Sequence, residues 1–284
     1  MTDTELKDPR LNWSALPQAE RDAAYDNNKA VANSSALIAA RNAMSAEVRA
    51  RHSRTLDVAY GPGERTKFDL YPAQNSSAPC LVFLHGGYWQ RNSREDFAMM
   101  IEGLAAHGWS VAIPGYSLAP QASLMQIVQE ILLALDWLSA RGASQGIAGP
   151  VLLSGWSAGA QLAALALHHP VVTAGLAISG VFDLAPLRDT WLNAALRLTD
   201  EEIEKLSPVR LPVVQKPLVI AYGSAELPAL VWDSRKLHGV RRAAGAPGEL
   251  VAVEGADHFT ILEELRRADG LLTKAALSLV SQPD

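Results

Sequence analysis

The 284-residue sequence predicts an α/β fold in which helices cover both faces of a mostly parallel sheet. From Ala50 onwards, short β-rich runs alternate with longer helical patterns. Most of these runs are apolar throughout, as expected for strands that are buried on both faces. The first two runs instead alternate polar and apolar residues and are joined by GPGER, which predicts an antiparallel hairpin leading into the sheet.

The same patterns predict eight strands and five longer helices. The strand runs read RTLDVAYG, TKFDLYP, CLVFLHGG, SVAIPGYS, VLLSGWS, GLAISGV, PLVIAYGS and ELVAVEG. The helices are predicted at 97–107, 123–141, 158–168, 229–242 and 259–280. With 49% hydrophobic residues, the chain has enough apolar surface for one large core. We therefore expect a single domain over residues 1–284.

Two segments lie outside the alternation. Residues 1–50 predict an N-terminal helical arm that docks on the body and presents the charges of RNAMSAEVRARHSR to solvent. A second segment, at about 183–212, is longer than a simple crossover requires. Within it, Thr199 and Glu202 form a predicted capping box at the start of a helix. We expect this cap insertion to pack over one end of the sheet. The arm residues expected to dock are Tyr25, Leu37, Ile38, Met44 and Val48.

Composition excludes several classes of function. The net charge of -5 is modest, and the sequence has no basic stripe with interleaved aromatics. It therefore predicts no nucleic-acid partner. The opening letters MTDTELKDPR do not resemble a signal peptide, and no apolar run is long enough for a membrane span. We therefore expect a cytoplasmic protein without membrane contact. Cys80 lies in an apolar run, which favours a buried structural thiol over a reactive one.

A serine between two glycines is the first candidate for chemistry. Ser157 stands in GWSAG, directly after an apolar strand and directly before a predicted helix. A strand that turns into a helix within a residue or two needs neighbours without side-chain bulk, which Gly155 and Gly159 provide. The arrangement is typical of a nucleophile elbow, although a serine at this place also caps helices. We interpret Ser157 as the nucleophile.

The letters LVFLHGGYWQ predict the oxyanion hole of an acyl-transfer enzyme. A tetrahedral intermediate needs backbone N–H donors, and paired glycines let the backbone come close to it. We assign the hole to the N–H groups of Gly87, Tyr88 and Ala158. His85 precedes this loop and is expected to order it by a hydrogen bond rather than to act as the base.

The general base is predicted at His258, in the loop after the last strand. Its neighbour Asp257 is expected to cap the helix that follows. The acid that orients the base belongs after the penultimate strand, where Glu226 is the first carboxylate. Asp183, after the preceding strand, is the alternative acid, and Asp233 is expected on the surface of the next helix.

Aromatic residues beside these loops predict the substrate pocket. Tyr88 and Trp89 follow the paired glycines, and Trp156 precedes the nucleophile. Such walls suit a planar ring. Two further tryptophans, Trp191 and Trp232, are as well explained by packing as by the pocket. The arginines considered for a substrate carboxylate, Arg91 and Arg188, are better explained as solvated residues.

Together, HGGYW, GWSAG, the Glu226 loop and GADHF resemble the α/β-hydrolase superfamily, and within it the kynurenine formamidase-like carboxylesterases, of which HGGYW is a hallmark. The arm letters YDNNKAV resemble the arm of bacterial members. The resemblance implies an α/β-hydrolase fold and a triad of Ser157, Glu226 and His258. It leaves the substrate open, because the group contains formamidases, esterases and other amide hydrolases.

The leading hypothesis is a serine hydrolase that cleaves a small aromatic amide, formamide or ester through an acyl-enzyme on Ser157, without a cofactor or metal. A short acyl group is favoured because Tyr88 stands where many lipases carry a third glycine. The alternatives are a carboxylesterase of short-chain esters and a non-catalytic ligand receptor; the receptor is disfavoured because all three triad positions hold competent residues. A small molecule is the expected partner, and general symmetry statistics favour a two-subunit assembly.

Overall fold

One eight-stranded sheet forms the centre of the protein. The computed structural model describes residues 8–51 and 55–280, and in these residues the strand order is β1-β2-β4-β3-β5-β6-β7-β8. The pairs β1/β2 and β2/β4 are antiparallel, and all other neighbours are parallel. The strands are β1 (Val58–Ala59), β2 (Lys67–Tyr71), β3 (Cys80–Leu84), β4 (Ser110–Pro114), β5 (Val151–Trp156), β6 (Val172–Ile178), β7 (Leu218–Gly223) and β8 (Leu250–Val253).

The sheet is buried on both faces, because successive residues of its central strands point into two separate cores. In β3, Leu81 and Phe83 pack into one core, while Val82 and Leu84 pack into the other. Every residue of β3 is buried, which explains why its sequence is apolar without alternation. The predicted fold class is confirmed, and each predicted strand run overlaps one of the eight strands, although β6 begins three residues before its predicted run.

Helices cover the two faces, and most lie where the sequence predicts them. Helix α5 begins after a capping box between Ser123 and Gln126. The helices are α1 (Gln18–Ala23), α2 (Asn27–Ala30), α3 (Ser34–Arg51), α4 (Ile101–Ala105), α5 (Leu124–Arg141), α6 (Ala158–Ala166), α7 (Asn193–Leu196), α8 (Asp200–Leu206), α9 (Pro228–Ala243), α10 (Glu263–Arg266) and α11 (Leu271–Leu279). In the described chain, none of them is both long and apolar enough to cross a membrane.

The predicted single helix at 259–280 is wrong. Two helices, α10 and α11, replace it, and the chain between them is extended at Arg267 and Gly270. The hydroxyl of Thr273 donates toward the carbonyl oxygens of Leu265, at 3.0 Å, and Arg267, at 2.8 Å. These contacts satisfy carbonyl groups at the end of α10, so the break leaves few unpaired acceptors.

The N-terminal arm docks through α3, but its charges are not all exposed as predicted. Arg49 donates to the buried carboxylate of Asp69, with 2.7 Å between Nε and Oδ2, and Arg41 is itself buried. The hydroxyl of Ser45 donates to the carbonyl oxygen of Asp96 at 2.8 Å. The arm is therefore attached to the body by polar contacts as well as by buried Tyr25 and Val48. The last three letters of RNAMSAEVRARHSR, residues 52–54, lie outside the described residues.

The cap insertion contains α7 and α8, and the predicted capping box is confirmed: Glu202 N donates to Thr199 Oγ1 at 3.1 Å.

Asp233, expected on the surface of α9, is instead fully buried. Its carboxylate accepts the backbone N–H groups of Phe182, at 2.8 Å, and Asp183, at 3.1 Å, and pairs with Arg10 at 3.0 Å. The prediction is wrong because this carboxylate holds the chain that leaves β6, a contact that helical spacing does not reveal.

The lone cysteine is a structural thiol, as predicted. Cys80 is fully buried, and burial raises the pKa of its thiol to about 12. Since the thiolate is the reactive form, the side chain stays an unreactive core group at neutral pH.

Candidate active site

The backbone of Ser157 forms a sharp elbow between β5 and α6. Its φ of 57° and ψ of -120° lie in a region that residues other than glycine rarely adopt. The elbow is possible because its flanking glycines have no Cβ, so other backbone atoms can approach them closely. A Cβ on Gly155 would lie 2.2 Å from the carbonyl oxygen of Gly159, and one on Gly159 would lie 2.1 Å from that of Leu84. The sequence prediction of a strained turn with required glycines is thus confirmed.

Ser157, His258 and Glu226 form one chain of contacts. His258 Nε2 lies 3.1 Å from Ser157 Oγ, and His258 Nδ1 lies 3.0 Å from Glu226 Oε2. All three residues are buried, so their mutual contacts are shielded from competing water. The structure therefore brings together the three residues that the sequence proposes for nucleophile, base and acid.

Glu226 is held by groups that the sequence did not identify. Its Oε1 accepts the hydroxyl of Ser179 at 2.5 Å and the backbone N–H of Gly223 at 2.8 Å, which leaves Oε2 for His258. Ser179 follows β6, next to the end of β7 where Glu226 begins its turn. A serine at the carboxyl end of an adjacent parallel strand is the only sequence signal for this contact.

The alternative acid, Asp183, is engaged elsewhere. Its Oδ1 accepts Arg210 Nη2 at 3.1 Å, and its Oδ2 lies 3.2 Å from Lys236 Nζ. Although burial opposes ionisation, these cations hold the pKa of the Asp183 carboxyl below its ordinary value. The geometry therefore favours Glu226 as the partner of His258. Asp257 caps the turn after His258, as predicted, by accepting the backbone N–H groups of Phe259 and Thr260.

Trp156 positions the histidine from a third side. Its indole Nε1 donates to the carbonyl oxygen of His258 at 2.8 Å, and the two rings lie 4.8 Å apart. Trp156 is nearly fully buried but also lines the cavity that opens onto Ser157. The predicted pocket residue therefore also fixes the backbone that carries the base.

The loop after β3 lies against the elbow. A Cβ on Gly86 would lie 2.7 Å from the carbonyl oxygen of Trp156, so the loop and the elbow are in backbone contact. Gly87 and Tyr88 have positive φ angles of 121° and 52° and line the same cavity as Ser157. Within the described residues, the N–H groups of Gly87, Tyr88 and Ala158 donate to no recorded acceptor. These amides are thus free to serve as the predicted donors.

Trp89, predicted to contact substrate, does not line the cavity. It is fully buried, and its indole Nε1 donates to Gln161 Oε1 at 3.2 Å. Its ring packs in the hydrophobic core and meets the ring of Tyr88 edge-on, with centres 6.4 Å apart. Trp191, from the cap insertion, lines the cavity, whereas Trp232 does not. Sequence position alone therefore misassigned one aromatic residue.

The N-terminal arm forms one wall of the cavity, which the sequence did not predict. The cavity measures about 240 Å³. The hydroxyl of Tyr88 joins the arm to the loop: it donates to the carbonyl oxygen of Tyr25 at 2.7 Å and accepts Asn27 Nδ2 at 3.0 Å. The arm residues among those that line the cavity are Tyr25, Asp26, Asn27, Asn28, Ile38 and Arg41.

The outer edge of the cavity is lined by Arg91, which is exposed as predicted. Its guanidinium lies 5.4 Å from the ring centre of Trp191, within the range of a cation–π contact. Arg188, the other arginine considered for substrate, does not line the cavity and pairs with Asp200. In the part of the chain that the structure describes, no three His, Cys, Asp or Glu side chains are grouped to hold a metal ion.

Comparisons with known proteins agree with this fold. The sequence profile of the BD-FAE family matches residues 68–171. The kynurenine formamidase of Danio rerio is 28% identical over 95% of this chain and 99% of its own length. The kynurenine formamidase of Salmo salar is 30% identical over 80% of this chain and 82% of its own length. The chain belongs to the kynurenine formamidase family. It is therefore a hydrolase.

Solved structures place this kynurenine formamidase family member among the α/β-hydrolases. A candidate thioesterase from Silicibacter sp. superposes with a TM-score of 0.80 at 27% identity, over 90% of this chain and 98% of its own. Esterase B from Lactobacillus rhamnosis gives a TM-score of 0.65 at 20% identity, over 87% of this chain and 93% of its own, a likeness that shows the fold alone.

Removing the Tyr88 hydroxyl tests the link between arm and loop. We expect Tyr88→Phe to lower kcat/KM about 10-fold, because the unpaired Asn27 amide and Tyr25 carbonyl cost roughly 1–3 kcal/mol and release the loop. Tyr60→Phe is the matched control, since it removes another buried hydroxyl that bonds a backbone carbonyl, that of Gly115, away from the cavity. Equal kcat/KM losses in the two variants would contradict the link.

His85 is neutral in the folded protein. It is fully buried, its Nδ1 lies 2.9 Å from the carbonyl oxygen of Gly86, and its ring stacks on Tyr116 with centres 4.1 Å apart. Burial lowers the pKa of His85 to about 3. These contacts agree with the predicted loop-ordering role and argue against His85 as the base.

A pH series tests this state of His85. Because the unfolded chain takes up a proton on His85 near pH ~6.5 and the folded chain does not, stability falls as pH drops below that value. Between pH 6.5 and 5.0 we expect the free energy of unfolding of the wild type to fall by about 2 kcal/mol more than that of His85→Asn. Urea unfolding measures both, and parallel pH curves would rule out a buried neutral histidine.

Proposed function

We propose that this enzyme hydrolyses small N-formyl aromatic amines such as N-formylkynurenine, the substrate class indicated by the name of its kynurenine formamidase relatives. The observation that carries the proposal is the contact chain Ser157–His258–Glu226, which opens into a small cavity with aromatic walls. We also propose a cytoplasmic location and a two-subunit assembly, which stay predictions from the sequence.

In the proposed mechanism, His258 takes the proton of Ser157 as its Oγ attacks the formyl carbonyl carbon. Glu226 fixes the imidazole through Nδ1 and stabilises the cation that forms. The N–H groups of Gly87, Tyr88 and Ala158 hold the negative oxygen of the tetrahedral intermediate. His258 then protonates the leaving aromatic amine. A water molecule, deprotonated by His258, attacks the carbonyl carbon of the formyl-enzyme; the bond to Ser157 Oγ then breaks, formate leaves, and His258 returns the proton to Oγ.

The cavity walls support an aromatic leaving group and a short acyl group. Tyr88, Trp156 and Phe259 line the cavity beside the nucleophile and offer flat apolar surfaces to a planar ring. The hydroxyl of Tyr88 is bonded to the arm, so its ring cannot swing aside to admit a longer acyl chain. A formyl group, the smallest acyl group, needs no such space.

A short-chain esterase activity is the second candidate, because the same kind of acyl-enzyme on Ser157 forms from an ester. The two reactions share nucleophile, base and oxyanion donors. They differ in the leaving group, since an amine must be protonated as it departs whereas an activated phenolate leaves without that help.

The deciding measurement compares kcat/KM on N-formylkynurenine with kcat/KM on p-nitrophenyl acetate. We expect the formamide to be the better substrate, and Ser157→Ala to lower kcat on both by about 10⁴-fold or more. Ester turnover without formamide turnover would favour the esterase. Undiminished turnover in Ser157→Ala would exclude Ser157 as the nucleophile.

The acid is tested by two isosteric changes. We expect Glu226→Gln to lower kcat about 10³-fold or more, because the amide can stabilise the wrong histidine tautomer and cannot balance its positive charge. Asp183→Asn neutralises another buried carboxylate that contacts Arg210 and Lys236 instead, and should leave kcat within about threefold of the wild type. A larger loss in Asp183→Asn than in Glu226→Gln would reverse the assignment.

A further inference from the structure

Arg41 is a buried cation in the wall of the catalytic cavity. It lies on α3 of the arm, is 5% exposed, and lines the same cavity as Ser157 and His258. Its guanidinium carbon lies 4.2 Å from the ring centre of Phe97, which covers one face of the group. The mechanism proposed above assigns no role to this residue.

The guanidinium of Arg41 makes no ion pair within residues 8–51 and 55–280. Its Nε and Nη2 donate to the amide oxygen of Asn42 at 3.1 and 2.9 Å, and Nη2 lies 3.4 Å from that of Asn92. Nη1 makes no hydrogen bond to the described chain. Asp96 attracts the charge from a distance, but its Oδ2 accepts the backbone N–H of Ser93 in a capping box.

The other buried arginines of the described chain donate to carboxylates or to backbone carbonyl groups. Arg10 pairs with Asp233, with 3.0 Å between Nη1 and Oδ1, and Arg94 pairs with Asp69, with 3.0 Å between Nε and Oδ1. Arg241 donates to three backbone carbonyl groups. A buried charge without a partner is costly, so such charges are normally paired. Arg41 differs from them because neither a carboxylate nor a backbone carbonyl of the described chain accepts from it, and its Nη1, which makes no hydrogen bond there, belongs to a residue that lines the catalytic cavity.

The carboxylate within this cavity does not pair with Arg41. Asp26 is the one acidic residue among the described residues that line it, and its Oδ1 accepts the backbone N–H of Lys29 as the cap of α2. Burial lowers the pKa of Arg41 to about 10, which still leaves the side chain charged at neutral pH. The cavity wall thus carries a positive charge that no carboxylate of the described chain contacts at ion-pair distance.

We propose that Arg41 binds a carboxylate of the substrate, so that the enzyme selects anionic aryl formamides over neutral ones of the same shape. The proposal rests on the proposed function for the formamide itself. A planar guanidinium suits a carboxylate, and the low exposure strengthens the pairing relative to a surface contact. Arg91, at the exposed edge of the cavity, adds positive potential along the route of entry.

Equilibrium binding to Ser157→Ala tests the proposal without turnover. The two ligands are N-formylkynurenine and its analogue with a carboxamide in place of the carboxylate. By calorimetry we expect the carboxylate ligand to bind about 100-fold more tightly, since without the carboxylate the charge of Arg41 stays buried and unpaired in the complex. The double variant Ser157→Ala/Arg41→Met should bind both ligands equally.

The charge-matched control is Ser157→Ala/Arg188→Met, which removes one positive charge from a residue outside the cavity and should keep the preference. If Arg41→Met does not fold, Arg41→Lys decides, because it keeps the charge without the planar fork and should show a reduced preference for the carboxylate. A preference that survives in either Arg41 variant undiminished, an equal weakening of both ligands, or no binding of either ligand overturns the proposal.

Turnover by the wild type separates this proposal from the proposed function. Preferential binding of the carboxylate ligand without hydrolysis of N-formylkynurenine would refute the formamidase proposal and support the role of Arg41. Hydrolysis of both formamides with equal kcat/KM would support the formamidase proposal and refute the role of Arg41.

Discussion

The contact between three backbone segments at Ser157 is the constraint on which the site depends. The elbow, the end of β3 and the start of α6 approach so closely that side chains on Gly86, Gly155 or Gly159 would overlap backbone atoms. This contact holds Ser157 at a positive φ, which an unsupported chain would not keep. It also sets the loop of Gly87 and Tyr88 against the nucleophile. The proposed nucleophile and the proposed oxyanion donors are therefore held by one set of backbone contacts.

Hydrogen bonds between buried groups fix the orientation of Glu226 and His258, the proposed acid and base. Glu226 is fixed by Ser179 and Gly223, and the backbone of His258 is fixed by Trp156. Each of these polar groups is buried and hydrogen-bonded, so a wrong orientation would cost a lost bond in a low-dielectric environment. The acid and the base are thus held in place before any substrate arrives, which reduces the reorganisation that the reaction requires.

The sequence predicts the features of the fold and the site that depend on residues close together in the chain. Runs of apolar residues reveal the strands, and Ser157, His258 and Glu226 follow from their places at strand ends. Contacts between distant segments could not be predicted in this way. The sequence predicts Asp233 and Arg41 as solvated helix residues, but in the folded protein both are buried against other segments. Trp89 was misassigned because its indole packs in the core and donates to Gln161, a residue 72 positions away in the sequence. The arm was expected to dock, but nothing local indicated that it borders the cavity.

In the proposed function, the residues that recognise the substrate and the residues that carry out the reaction come from different parts of the chain, because the arm borders the cavity. Ser157, Glu226 and His258 come from the sheet and its loops, whereas Asn27 and Arg41 come from a segment that precedes the first strand. Changes in that segment can alter which molecule fits without disturbing the strained elbow, which tolerates little variation. Substrate preference in this architecture can therefore diverge through one exchangeable piece of sequence, and grafting arms between related enzymes is a direct route to new specificities.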